Sequence, residues 1–363
     1  EIEDIFLKLI PKKDGTTRPI VLFRSLTRIM GKARKPAVAK WETFFASGAI
    51  FNNYGGRRIA DGIWRLAWRN YFQRGDDKHA PYIMWDLKKA FETVDRDLLW
   101  EMGIRFSYPL DVLRLSLSTY AMTRRLQLEQ GIVSTQMRGA SWICAGSSFA
   151  TFELKLYLLQ FAGKLTLMKD HLQVSIHVDD IHMHIFATTK DEVIDLSTQV
   201  AKFAQAELED IGLILAGEKE AILATEPEIA LAISKRLGRA TKVPDFEAVK
   251  LGVDYRLYKN KNTHKINGNK NKRVFTFRRR SQKCRALFGK KSYSKIMKMG
   301  MLLAVLYGYE LTHYSSSEIQ EFRNAVLKSE GMNIKGTHKD FAWHLLGAKC
   351  DPEFIIRAAA IDR

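Results

Sequence analysis

The chain of 363 residues carries 58 Lys+Arg against 40 Asp+Glu, a net charge of +18, with 46 % hydrophobic and 11 % aromatic residues. That balance excludes a disordered or collagen-like chain and supplies apolar material for one large domain or two to three subdomains. The basic excess points to a polyanionic partner, most simply nucleic acid.

In chain order, Glu3 to Ile10 and Arg18 to Phe23 read as short strands around a turn at Lys13-Asp14-Gly15. Tryptophan-containing helical material is expected to about Arg74, then a turn at Gly75-Asp76-Asp77. Pro81 precedes a buried strand, Tyr82 to Trp85, that ends in Asp86. Val174 to Val178 reads as another strand. Ile181, Met183 and Ile185 then alternate with His182 and His184, the period-2 pattern of a half-exposed strand. The two make a hairpin with Asp179-Asp180 at its tip. Thr189 and Glu192 form a capping-box signature ahead of an amphipathic helix through Val193, Leu196, Val200 and Phe203. Strands ending in carboxylates and backed by helices describe an α+β layer. The histidines are read as polar strand positions rather than metal ligands. Trp142 is the one tryptophan placed to stack on a base.

Cys144, Cys284 and Cys350 are widely separated and odd in number, with no CxxC or Cys/His zinc spacing. A disulfide framework and a structural zinc site are therefore not expected. The longest apolar stretch, Met299 to Tyr309, has 11 residues, against about 20 for a membrane span. The chain opens at Glu1 and reads as a piece of a longer product.

Between Tyr255 and Tyr309 there are 16 Lys/Arg and no Asp or Glu. Surfaces that need only solubility mix the two signs. Aromatics interleave with the cations, among them Tyr258, Phe275, Phe277 and Phe288. The stretch reads as a phosphate-backbone surface, with Arg273, Arg278, Arg279, Arg280, Lys283 and Arg285 as candidate contacts. Asn260 to Asn271 is Asn/Lys-rich and reads as an exposed loop ahead of a helical C-terminal part.

Adjacent aspartates at a turn between apolar strands repel one another, and a divalent cation relieves that repulsion. Mg²⁺ takes carboxylate, water and phosphate oxygens. Three carboxylates from two strands, Asp86, Asp179 and Asp180, suit two such ions and in-line phosphoryl transfer.

The order of the motifs resembles that of reverse transcriptases, particularly those of non-LTR (LINE-like) retrotransposons, over most of the chain. Ile10-Pro11-Lys12-Lys13-Asp14-Gly15 with Arg18-Pro19-Ile20 looks like the fingers segment "IPKK…RPI". Asp86 to Asp97, DLKKAFETVDRD, is similar to "DLxKAFDxVDxD" and is the most specific match. Gly139 to Thr151 falls where the family has "QGxxxSP", and Val178-Asp179-Asp180 where it has its aspartate-pair turn. Gly212-Leu213 with Lys219 resembles "GLxLNxxK", Leu251-Gly252-Val253 the primer-grip entry, and Tyr307-Gly308 a thumb-helix "YG".

The resemblance implies a right-hand polymerase of α+β class: fingers over 1–80, palm over 81–255, basic helical thumb and extension over 256–363. It implies an RNA-directed DNA polymerase that extends a DNA primer on an RNA template with dNTPs, from a retrotransposon polyprotein. Asp86, Asp179 and Asp180 would hold two Mg²⁺ ions, with Mn²⁺ as a substitute. Lys12 or Lys13 and Arg18 would grip the triphosphate, since charge-assisted contacts suit that task. Phe91 falls at the steric-gate position that disfavours a ribose 2′-hydroxyl. Gly146 would allow close backbone approach to the nucleotide, and Lys219 would protonate the leaving pyrophosphate. The expected setting is an intracellular ribonucleoprotein, nuclear or cytoplasmic. There are departures: Ala145-Gly146 stands for the family's Gln-Gly, His177 for an aromatic, Glu92 for an aspartate. Two alternatives stay open, an RNA-dependent RNA polymerase and a nucleic-acid-binding relic without turnover.

Overall fold

The computed structural model describes residues 4–12, 15–46, 50–55, 61–62, 64–65, 68, 78–127, 134–137, 142–224, 226–238, 247–250, 253–256, 268–309, 312, 314–332, 338–347 and 350–358. The chain divides into two compact units, one of residues 1–58 and 71–245, the other of 59–70 and 246–363.

The larger unit opens with a hairpin, β1 (Asp4–Pro11) and β2 (Thr17–Leu22), followed by α1 (Ser25–Phe45). Gly15 takes the left-handed backbone (φ +80°) that the tight β1–β2 turn requires. Next come β3 (Tyr82–Asp86), the short α2 (Ala90–Thr93), α3 (Arg96–Arg105) and α4 (Leu110–Ala121). β4 (Thr123–Gln127) returns to pair in parallel with β1, closing a three-stranded sheet in the order β2-β1-β4. α5 (Ala150–Thr166) leads to the hairpin β5 (Leu172–His177) and β6 (Asp180–Ile185). The unit ends with α6 (Lys190–Asp210), β7 (Ala221–Leu223) and α7 (Pro227–Arg236).

The second sheet is antiparallel, in the order β5-β6-β3-β7. Its central strands are buried on both faces, with Tyr82, Ile83, Ile181 and Met183 at 0 % exposure. α5 is buried almost all round through Leu154, Leu156, Tyr157, Leu158 and Phe161, as its nearly continuous apolar sequence demands. Thr189 caps α6 by accepting from the Glu192 N–H, and Val193 and Val200 face the core. The sequence expectation fails for the histidines. His182 and His184 are buried, and the His184 ring stacks on Tyr82 at 3.9 Å. Period-2 alternation marks a strand but cannot tell a solvated face from one that a further layer covers.

The second unit holds a hairpin, β8 (Glu247–Lys250) and β9 (Val253–Arg256), and a set of α-helices among its described residues. These are α8 (Gly268–Leu287), α9 (Lys290–Ile296), α10 (Leu302–Val305), α11 (Ser316–Ser329) and α12 (Lys339–Leu346), with a final short α13 (Pro352–Ala358). A π turn, Met297–Met301, joins α9 to α10. α8 starts inside the segment expected to be a loop, while residues 260–267 lie outside the described residues. Ser315 and Glu318 form a full capping box on α11. Phe277 and Phe322 meet edge to face at 5.2 Å in this unit's core. Gly308 (φ +73°) lies so close to Val253 that a Cβ there would sit 2.4 Å from a Val253 methyl. Among the described residues, no helix is long and apolar enough to cross a membrane.

Candidate active site

β3 is a run of apolar residues that ends in Asp86, and β6 begins with Asp180. In the antiparallel register Asp86 lies opposite Asp180, and His177 of β5 also faces Asp180. The β5–β6 turn needs only Val178 and Asp179, and Val178 takes a left-handed φ of +60° to make it. The Asp179 carbonyl accepts from the Leu87 N–H at 3.0 Å, so the backbone of all three aspartates meets at one end of the sheet. The three side chains are half-buried. Among the described residues, no three His, Cys, Asp or Glu side chains converge closely enough to cage an ion by themselves. The donor set, all carboxylate, nevertheless suits a hard cation that keeps waters and takes phosphate oxygens.

The segment after Asp86 is fixed from two sides. The Asp86 carbonyl accepts from the Ala216 N–H (2.8 Å), and the Lys88 N–H donates to the Ile214 carbonyl (2.7 Å). Gly212 ends α6 in the left-handed conformation (φ +75°) and Leu213 turns into the core. Lys219 lies in a 3₁₀ turn, Gly217–Lys219; its side chain lies outside the described residues.

Phe91 is partly buried against the core, and its carbonyl accepts from the Ile143 N–H at 2.9 Å. The same segment continues to Ala145, whose carbonyl accepts from the Val21 N–H of β2 at 3.2 Å. A Cβ on Gly146 (φ +107°) would lie 2.9 Å from the Val21 carbonyl oxygen. The Gly-only motif position is thus a real close approach of backbone to backbone. Arg18 sits on β2 opposite Ile10, and Lys12 follows β1; both are exposed at the hairpin end. Lys13 lies outside the described residues. The structure therefore links Phe91, Gly146 and the strand bearing Arg18 through one run of backbone, 142–146.

Trp142 is partly exposed, with a cation against one face of its ring. The Arg124 guanidinium covers its ring at 4.1 Å. Behind this segment lies Glu153, fully buried, accepting from the Tyr120 hydroxyl at 2.5 Å. Burial pushes its pKa up to about 7, and the Tyr120 bond acts in the opposite direction. Burial also raises the Cys144 thiol to about 11, which leaves it an inert core thiol. Glu42 and Lys155 form a buried ion pair, and Lys155 also donates to the Asn53 carbonyl at 2.8 Å. Nothing in the local sequence signals these buried charges, because each partner comes from a distant segment.

In the second unit α8 buries Val274 and Phe277 and exposes Arg279, Arg280, Lys283 and Arg285, together with Lys272. Arg278 is exposed but committed: it makes a bidentate pair with Glu321 at 2.8–3.1 Å. Arg273 is half-buried, with its guanidinium over Tyr307 at 5.8 Å.

No protein-family model matches the chain. No curated protein matches it. Among solved structures, it is similar to apo telomerase from Candida tropicalis at TM-score 0.52 and 13 % identity, over 98 % of this chain and 63 % of that one. It is similar to the telomerase of the same organism in complex with a fragment of telomeric RNA at TM-score 0.50 and 13 % identity, over 95 % and 64 %. The chain thus spans just under two thirds of the length of these structures. It has a reverse-transcriptase-like fold of mixed α and β structure.

Proposed function

We propose that the chain is an RNA-directed DNA polymerase that extends a primer with dNTPs. The observation that carries this reading is the meeting of Asp86, Asp179 and Asp180 at one end of an antiparallel sheet within a reverse-transcriptase-like fold. The retrotransposon (LINE-like) origin rests on the motif order alone.

Asp86 and Asp179 would be the principal ligands of divalent cations, and Asp180 would complete the acidic cluster. When bound, two Mg²⁺ ions would neutralise the triphosphate and ease ionisation of the attacking hydroxyl. Lys12 and Arg18 would bind the triphosphate from the hairpin β1–β2, and Lys13 would join them. Phe91 would exclude a 2′-hydroxyl, and Gly146 would let the 142–146 backbone line the nucleotide. Lys219 would deliver a proton to the leaving pyrophosphate. The exposed cations of α8 would grip the template–primer hybrid through its phosphates.

The test is primer extension on an RNA template with Mg²⁺, using dNTPs or rNTPs in parallel and Asp180→Asn as control. Extension with dNTPs that disappears in Asp180→Asn is the expected result. Extension with rNTPs only would make the chain an RNA polymerase and sink the role given to Phe91. Hybrid binding without any extension would leave the non-enzymatic alternative, which the Ala145 and His177 departures favour.

A further inference from the structure

Two arginines meet behind the proposed nucleotide wall, and neither belongs to a recognised motif role. Arg124, on β4, is 1 % exposed. It donates to the Tyr120 carbonyl at 2.7 Å, approaches the Cys144 sulfur at 3.6 Å and stacks on the Trp142 ring at 4.1 Å. Arg96, at the start of α3, donates to the same Tyr120 carbonyl at 2.8 Å and to the Trp142 carbonyl at 3.0 Å. Tyr120 lies in the last turn of α4. Its carbonyl is one of the groups a helix leaves unpaired at its negative end, so two guanidiniums converge where a cation is favoured.

Burying a guanidinium is costly, and an apolar side chain of similar volume would usually fill a core better. Among the described residues Arg124 pairs with no carboxylate, and its Nε and Nη1 find no hydrogen-bond partner. Trp142 sits at φ +83°, a strained backbone for a bulky residue that persists only where its surroundings over-determine it. The flat ring against Arg124 and the carbonyl held by Arg96 fix that residue from two sides. One residue later the chain bonds to Phe91, and three residues later to β2.

We infer that Arg96 and Arg124 are positioning residues: a two-arginine clamp on Trp142 that sets the 142–146 backbone between Phe91 and β2, and so governs nucleotide use. The consequence for nucleotides rests on the polymerase reading; the clamp itself does not.

The test substitutes Arg124→Met, Trp142→Leu and Trp142→Phe in the full chain and reads two things. Amide hydrogen exchange follows Ile143 and Val21 against Ile83 and Ile181 in the second sheet. Steady-state kinetics separates the dNTP KM from kcat and from hybrid Kd. In Arg124→Met and Trp142→Leu, exchange at Ile143 and Val21 is expected to rise about tenfold or more with Ile83 and Ile181 unchanged. The dNTP KM is expected to rise about tenfold with hybrid Kd within about twofold. Trp142→Phe, which keeps an aromatic face, is expected to behave as the parent. Unchanged exchange at Ile143 and Val21 overturns the clamp. So does an equal rise throughout the unit, which would make these residues ordinary core. Should Arg124→Met fail to fold, Trp142→Leu carries the test, because that ring is only partly buried. A parent chain that incorporates no nucleotide sinks the polymerase reading, and the exchange measurement still decides the clamp.

Discussion

Asp86 and Asp180 face each other across neighbouring antiparallel strands, β3 and β6, at the end of the sheet where the Asp179 carbonyl bonds to Leu87. Like charges so placed repel, so neutralising either one relieves that repulsion while removing a proposed cation ligand. Asp86→Asn and Asp180→Asn are therefore expected to lower primer extension by roughly a hundredfold or more, with thermal stability unchanged or raised. Melting curves beside extension assays check both halves; a mutant with full activity would remove the aspartate from the chemistry.

Gly146 combines a left-handed φ with backbone 2.9 Å from where a Cβ would stand. Neither the Val21 carbonyl nor the Ala145–Val21 bond can yield cheaply. Gly146→Ala should destabilise the unit by about 1–3 kcal/mol and raise the dNTP KM. Urea unfolding gives the first number. A midpoint equal to that of the parent would show that the loop can swing off β2.

Glu153 titrates near 7 in the folded protein because it is buried, against about 4.5 when exposed. The folded state therefore holds a proton that the unfolded state has already lost between those values. Stability is expected to fall as pH rises from about 4.5 to about 7, and to stay lower above, by up to about 3 kcal/mol. Glu153→Gln keeps the shape and should remove that part of the slope. Denaturant midpoints at pH 5 and pH 8 decide it; an unchanged slope in Glu153→Gln would place the titrating group elsewhere.

Lys272, Arg279 and Lys283 recur at helical spacing on the face of α8 opposite Val274 and Phe277. Removing one cation that neutralises a phosphate should reduce the salt dependence of nucleic-acid binding by about 0.7–0.9 in log–log slope. The triple alanine variant is expected to bind a hybrid more weakly at every sequence tested. Arg278→Ala should weaken binding less, because Glu321 already holds that guanidinium. Fluorescence anisotropy across salt concentrations measures both. Equal slopes for the parent and the triple variant would mean that this face meets no phosphate.

Much of the candidate site is legible in the sequence because its signals are local. Apolar runs ending in Asp86 and flanking Asp179-Asp180 specify strands with carboxylates at their ends, and a two-residue connection leaves room only for a hairpin. The lack of acids between Tyr255 and Tyr309 marks the basic surface, and the turn at Gly15 and the cap at Thr189 follow from residue chemistry. What only the tertiary structure decided depends on contacts between distant segments. The pairing of β3 with β6 put Asp86 opposite Asp180. Packing beyond the hairpin buried His182 and His184, which alternation alone had left half-exposed. Glu321, 43 residues downstream, claimed Arg278 from the basic run. Arg96 and Arg124 met over Trp142 only because α4 brings its carboxyl end between them. Local sequence specifies hydrogen-bonding and periodicity within an element, whereas the partner of a buried charge is fixed by where the elements pack.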